Sequence, residues 1–299
     1  MLQSKKIRLT ANDKMFYVVI TVILVFTGLI ILLPLMHVIA QAFSDPDAVL
    51  AGRVTFLPYG FTLETVGMLL RNPNVRVGFF NTFFYASVGT IINLIVTVCC
   101  AYPLSRKDFV GRNFFMLVFS FTMMFSGGMI PTFMVIRNLG LIDTRAVMLL
   151  PGAMAVWHMI ICRTFFQNTI PKEMYESAEI DGASHFRVLV SMVLPLSTPV
   201  LAVLTLFYAV GHWNSYFDAL LYLRSPHLFN IQLILQNAIS SIEALLNQVD
   251  NLTAAERTMA LAEASKYAMI VISMIPVLIL YPIIQRYFVK GIMIGAIKG

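Results

Sequence analysis

Six long runs of apolar residues, near positions 16–40, 80–103, 114–136, 146–166, 192–222 and 268–287, limit this chain more than any other feature. Each is long enough to hold the roughly 17–25 residues that an α-helix needs to cross a bilayer. Hydrocarbon offers no partner to a backbone N–H or C=O, so only segments whose hydrogen bonds are internal can be threaded through it. The expected fold class is therefore all-α: a polytopic membrane protein with six transmembrane helices. Pro276 and Pro282 fall inside the last run and should kink it without preventing a crossing.

Charge then orders the loops. Charged residues make up 12% of the 299 and hydrophobic ones 59%, whereas a soluble domain has about 25% charged. The net charge of +6 needs no nucleic acid to explain it, because Lys and Arg gather at membrane edges. Of the 21 Lys and Arg, 13 precede the first run, join the second to the third or the fourth to the fifth, or follow the sixth; 8 lie on the opposite side. The positive-inside tendency puts both termini, and the passage 170–199, in the cytoplasm. The first run is too long, and lacks the small-residue cleavage site, for a removable signal peptide. The expected organisation is a basic tail over 1–15, a six-helix membrane domain over 16–289, and a glycine-punctuated cytoplasmic tail over 290–299.

Several chemistries have no residues to support them. No HExxH is present, and His158 and His212 have no matched nucleophile motif. Cys99, Cys100 and Cys162 lie in or at the ends of apolar runs without disulfide or zinc spacing, and read as small core hydrophobes. No GxxxxGK[ST] phosphate loop occurs, so ATP has no ordinary binding site here.

The polar passage from Ile170 to Pro199 stands out between apolar runs, carrying Lys172, Glu173, Glu176, Glu179, Asp181 and Arg187. Pro171 suits a first helical turn, and Glu173 and Glu176 favour the positive end of the helix dipole. Asp181-Gly182 should interrupt that helix, Asp capping a fresh start, and Phe186, Leu189, Val190 and Val193 then recur at helical spacing. Two short helices joined at a glycine would make a rigid knob. Glu176-Ser177-Ala178, three residues, Gly182, nine residues, Met192, one residue, Leu194-Pro195 resembles the EAA loop of binding-protein-dependent ABC importer permeases of the maltose type. Ser177 stands for an Ala and Met192 for an Ile, and the register is kept.

The resemblance extends over most of the chain, through SRKDFVGRNFFM, FSGGMIPT, FYAVGHWNSYFDAL and the terminal KGIMIGAIKG, and is strongest toward permeases for aldouronates and other polysaccharide-derived oligosaccharides. It implies a type I ABC importer (MetI-like) fold and a non-catalytic transport subunit in the bacterial cytoplasmic membrane. It also implies a second homologous permease, an ABC ATPase dimer that alone binds ATP and magnesium, an extracytoplasmic solute-binding protein, and a carbohydrate substrate. Glu176, Ser177, Ala178, Asp181, Gly182, Leu194 and Pro195 would couple to the ATPase. The tail, with Lys290, Gly291, Gly295, Lys298 and Gly299, would reach between the ATPase subunits. The long external segments 41–79 and 223–267 look like the surfaces that meet the binding protein. An ion-coupled secondary sugar carrier is the alternative; such carriers usually show internal repeats and paired intramembrane charges, and Asp218 is the clear intramembrane carboxylate here.

Three polar features within the spans leave two readings each. Gly127-Gly128 and Pro131 loosen the third run, for close helix packing or for a solute. His158 is either a neutral core imidazole or a substrate contact. Gly211, Asn214, Asp218 and Tyr222 share a face of an unbroken helix, about 24 Å of which would separate Gly211 from Pro195. Trp213, Asn214, Tyr216 and Asp218 suit a sugar, by stacking on a pyranose ring and bonding to its hydroxyls, or else they knit the helix to its neighbours.

Overall fold

The computed structural model describes residues 10–246 and 255–296, and among them there is no strand. Three helices are long and apolar enough to cross a membrane, lying within α1 (Ala11–Ala42), α4 (Pro73–Ser105) and α14 (Ala255–Ala296). Between α1 and α4 lie the short α2 (Pro46–Leu50) and α3 (Glu64–Arg71). The turn residues of that segment act as helix starts: Asp45 accepts from the Asp47 N–H at 2.9 Å ahead of Pro46, and Asn72 from the Asn74 N–H at 2.9 Å ahead of Pro73.

The other expected spans are broken. The third run forms α5 (Arg112–Met124) and α6 (Met129–Asn138), which meet at 113°. Gly128 has φ +84° with nothing within 4 Å of its missing Cβ, so it serves the turn between α5 and α6. The fourth run is helical only from Val156, in α7 (Val156–Thr169), after a 3-10 turn at Arg145–Met148. Its 14 residues fall short of a full crossing, so the six expected spans appear as three long helices and two bent pairs. After α8 (Lys172–Ile180) and α9 (His185–Val188), the fifth run passes through a π-helical turn at Leu189–Val193 into α10 (Leu194–Leu196). It bends by 83° into α11 (Thr198–Trp213), then breaks again before α12 (Tyr216–Tyr222). Pro195 and Pro199 lack the N–H groups that would carry a straight helix through this region. Pro276 and Pro282, by contrast, lie inside α14 without interrupting it, and α14 runs through position 289 to Ala296.

The chain divides into two compact units, Met1–Leu69 with Ala238–Ile272, and Leu70–Asn237 with Ser273–Gly299. In the first, Ala40, Ala48, Val49, Val54 and Ala264 form a small core with Tyr267 against it. Arg257 clasps it from outside, binding Asp47 at 2.7 Å and Glu64 at 3.0 Å. Most of α1 stands clear of this core, with Leu24 and Phe26 among its exposed side chains, as suits a helix whose surroundings are lipid. α13 (Ile231–Leu246) and α14 both cross the division between the units.

The second unit is built on α4, which packs against α7 and α11. Asn81, Tyr85, Gly89, Asn93 and Thr97 recur every four residues and form a buried stripe along it. Asn81 donates to the His227 and Phe229 carbonyls at 2.8 and 3.0 Å, Tyr85 to the Leu228 carbonyl at 2.8 Å, and Thr97 shares a 2.7 Å bond with Tyr208. Side-chain hydrogen bonds of this kind hold helices together in a medium that supplies no hydrophobic force between them. At one end of the unit Asp143, itself at φ 59°, accepts from the Arg224 and Ser225 N–H groups and from the Ser225 hydroxyl at 2.6–2.9 Å. The Ser225 hydroxyl first, and then the two N–H groups, hold its carboxyl down at about 2.

Candidate functional site

The polar passage folds into a knob, as its residues suggest, but by a different capping scheme. α8 starts after Pro171 with Glu173 in its first turn. Asp181 ends α8 and does not start the next helix. Gly182, at φ +68°, follows it; its N–H reaches the Glu179 carbonyl at 3.1 Å and the Ala183 N–H reaches that of Ala178 at 2.9 Å. This pair of bonds closes the last turn of α8 on a left-handed residue, a position that suits glycine because it has no Cβ. Ser184 caps α9 through the Arg187 N–H. The expected apolar stripe is split: Leu189 and Val193 are buried, whereas Phe186 is 75% exposed.

The back of the knob is fixed and its front is free. Ala178 is buried in a core shared with Tyr102, Leu104, Phe166, Val188 and Leu189. Arg106, just past the end of α4, binds Asp108 at 2.9 Å and Glu179 at 2.6 Å while its guanidinium lies 4.3 Å from the centroid of the Tyr175 ring. Its hydrogen bonds hold the Asp108 carboxyl below the usual carboxylate range, and burial pushes the Tyr175 phenol up to about 12. On the outside Glu176 pairs with Lys172 at 2.7 Å, and Ile180 is 86% exposed. An exposed pair one helical turn apart is worth only about 0.3–0.5 kcal/mol, so Glu176 can change partners at little cost. Leu194 and Pro195 make up most of the three-residue α10, next to the 83° bend. Lys290, Gly291 and Gly295 lie on α14, and Lys298 and Gly299 fall outside the described residues.

A second candidate lies in the membrane domain. A polar cavity of about 470 Å³ is lined by Asn93, Thr132, His158, Tyr208, Gly211, His212, Ser215, Asp218 and Tyr222 among others. Its wall is held by a chain of hydrogen bonds: His212 Nε2 to Asn93 Oδ1 at 2.6 Å, Asn93 Nδ2 to the Gly152 carbonyl at 3.1 Å, and the Ala155 N–H to the Tyr208 hydroxyl at 3.3 Å. The His158 ring stands edge-on to Tyr208 with centroids 4.6 Å apart, and its Nδ1 has no hydrogen-bond partner among the described residues. Asp218 has no cation within ion-pair distance among the described residues.

Of the four residues singled out from sequence on this run, only Asp218 lines that cavity. Trp213 is buried, donates its indole N–H to the Ser273 carbonyl at 3.1 Å, and borders a separate apolar cavity of about 390 Å³ with Phe83 and Pro276. Asn214 is exposed at the end of α11, and Tyr216 packs on the core around Tyr85 and Tyr222. The shared face expected of an unbroken helix thus keeps Gly211, Asp218 and Tyr222 but loses Asn214, because the helix stops there. Asn93, Thr132 and Tyr208 were not picked out from sequence. The four-residue polar repeat in α4 is the signal that marks Asn93.

The chain is similar to known proteins. Residues 79–294 match the family model described as the binding-protein-dependent transport system inner membrane component. The polygalacturonan/rhamnogalacturonan transport system permease protein YtcP of Bacillus subtilis is 36% identical over 96% of this chain and 100% of its own length. Protein LplC of the same organism is 38% identical over 91% of each. A chain in the crystal structure of a bacterial ABC transporter involved in the import of the acidic polysaccharide alginate superposes with a TM-score of 0.84 at 33% identity, covering 95% of this chain and 100% of that one. These matches set aside the ion-coupled carrier. With a family model spanning the α8–α9 knob, the residues of the polar cavity and most of α14, the chain belongs to the inner-membrane permease components of binding-protein-dependent ABC transport systems.

Proposed function

We propose that this chain forms half of the translocation pathway of an ATP-driven importer for oligosaccharides, uronic-acid-containing fragments of polysaccharides being the substrate class. The names of the YtcP relative and of the alginate transporter support that class. A second, homologous permease supplies the other half, an extracytoplasmic binding protein delivers the sugar, and a separate ATPase dimer holds ATP and magnesium. Both termini and the α8 knob face the cytoplasm.

The observation that carries this reading is the construction of the knob. Its rear is locked to α4 through Arg106–Glu179 and the burial of Ala178, while Glu176, Ile180 and Phe186 are left exposed at its front. A partner that grips the front of such a unit moves α4 with it, because a close-packed core transmits displacement instead of absorbing it. α4 carries Asn93, so the same displacement reaches the polar cavity. There Asp218, His158 and Tyr208 would bond to sugar hydroxyls as they pass. The C-terminal part of α14 would run between the ATPase subunits.

The test is reconstitution in proteoliposomes with the companion permease, the ATPase and the binding protein, measuring uptake of labelled oligogalacturonide. ATP-dependent uptake is expected, and Glu176→Lys should leave ATP hydrolysis without uptake. Uptake with the ATPase omitted, normal coupling in Glu176→Lys, or labelling of a cysteine at position 176 from outside intact cells would each overturn the reading.

A further inference from the structure

A basic cavity of about 700 Å³ opens where the end of α4, the start of α5 and α8 come together. It is separate from the polar cavity, and the Lys172–Glu176 pair of the knob stands at its edge. Five cations and three carboxylates line it. Arg106 is held by Asp108 and Glu179, and Lys172 by Glu176. Lys107, Arg112 and Arg163 remain, with no carboxylate within ion-pair distance among the described residues. Arg163 is partly buried and uses its Nε on the Leu104 carbonyl at 2.8 Å, which fixes the guanidinium in the wall.

Next to these cations in the chain is an apolar ledge. Val110 is 90% exposed, Phe114 is 65% exposed, and Phe109 stacks on Phe115 with centroids 6.0 Å apart. Uncompensated guanidinium groups favour a phosphate, which they bind with charge-assisted hydrogen bonds, and exposed aromatics at the end of a membrane helix favour hydrocarbon. Free phosphate satisfies the first requirement only.

We propose that this cavity binds the phosphodiester headgroup of an anionic phospholipid, with Arg112, Arg163 and Lys107 on the phosphate and the Phe109–Phe115 ledge against the acyl chains. Basic pockets between helices at the cytoplasmic surface are suited to such headgroups. Tyr175 and Glu179, on the rear of α8, form part of the same lining, so a bound lipid braces the knob from behind. This effect on coupling rests on the import reading above, whereas the binding itself does not.

The test uses the purified full chain in detergent, titrated with phosphatidylglycerol or phosphatidylcholine and read by native mass spectrometry. Phosphatidylglycerol should stay bound under activation that strips phosphatidylcholine. Arg112→Gln/Arg163→Gln should weaken its retention at least about a hundredfold, given two lost charge-assisted bonds. Arg112→Lys/Arg163→Lys, which keeps both charges, should retain most of it, and Arg71→Gln/Arg76→Gln, remote from the cavity, should retain all of it. Equal retention of the two lipids, or full retention in the Gln pair, overturns the site. Displacement by millimolar inorganic phosphate overturns the lipid assignment in favour of a plain anion site. If the Gln pair does not survive extraction, a photoreactive phosphatidylglycerol on the unmodified chain decides: adducts within 105–115 and 163–176 support the site, and adducts confined elsewhere overturn it. Retention in detergent needs neither ATPase nor a fixed orientation, so it succeeds or fails independently of the import reading.

Discussion

Replacing Gly89 by Ala puts a methyl carbon where the ring of His212 already is. A Cβ built at Gly89 lies 2.4 Å from Nε2, 2.5 Å from Cε1 and 2.8 Å from Cδ2 of that ring, well inside van der Waals contact. The ring cannot yield freely, because its Nε2 bonds Asn93 Oδ1 at 2.6 Å. Asn93 is itself buried and tied on its other side to Gly152. Either the helices separate, at the roughly 1–3 kcal/mol of an overpacked core, or His212 swings into the polar cavity and leaves a buried acceptor unpaired, at about 1–3 kcal/mol. Gly89→Ala should therefore destabilise the second unit by about 2 kcal/mol. The informative comparison is with His212→Ala, which removes the ring that the methyl would strike. In a double-mutant cycle the pair Gly89→Ala/His212→Ala should be no less stable than His212→Ala alone, a coupling about as large as the cost of Gly89→Ala. Denaturation of the purified chain in bicelles, followed by tryptophan fluorescence, reads all four species. Additive costs, or a silent Gly89→Ala, would refute the packing described for α4 against α11.

Two further outcomes follow from the knob and from the Asp143 clasp. Gly182→Ala forces a Cβ into a left-handed conformation at a cost of about 1–2 kcal/mol, so hydrogen exchange over 172–196 should quicken; Gly182→Asn should recover part of the protection, and unchanged exchange in the Ala variant would deny the αL cap. Because the Asp143 carboxyl is lowered to about 2 from an ordinary 3.8, its contribution to the clasp is fully present above about pH 4 and is lost as the pH falls toward 2. Limited proteolysis of the 224–228 segment should thus be flat between pH 5 and 8, and Asp143→Asn should raise it at pH 7; equal cleavage in both proteins would remove the clasp.

Much of this architecture is legible in the residues. The apolar runs fix an all-helical membrane protein because a continuous apolar segment of this length meets its own hydrogen bonds in hydrocarbon only as a helix, whereas barrel strands are short and alternate. Asp45-Pro46 and Asn72-Pro73 start helices where they stand, since an N-cap needs only a short polar side chain and a following N–H. The polar passage at 170–199 is equally local: Gly182 sets the turn because its φ of +68° disfavours most residues that carry a Cβ. The surroundings of α4 are legible in part, for the spacing of Asn81, Tyr85, Asn93 and Thr97 is enough to mark one helical face as polar.

Tertiary structure decided which polar residues meet. An unbroken fifth helix would put Asn214 beside Asp218, but the chain bends by 83° at Ser197 and stops again at Asn214. The break at Asn214 takes that one residue off the face, while Gly211, Asp218 and Tyr222 still line one cavity. Trp213 is turned to an apolar cavity and Asp218 to a polar one, an assignment that only the packing around the two residues makes. Arg106 likewise reads as a loop cation. Only the approach of α8 to the end of α4 gives it Glu179, 73 residues away, because a hydrogen bond depends on distance in space and sequence separation leaves that distance open.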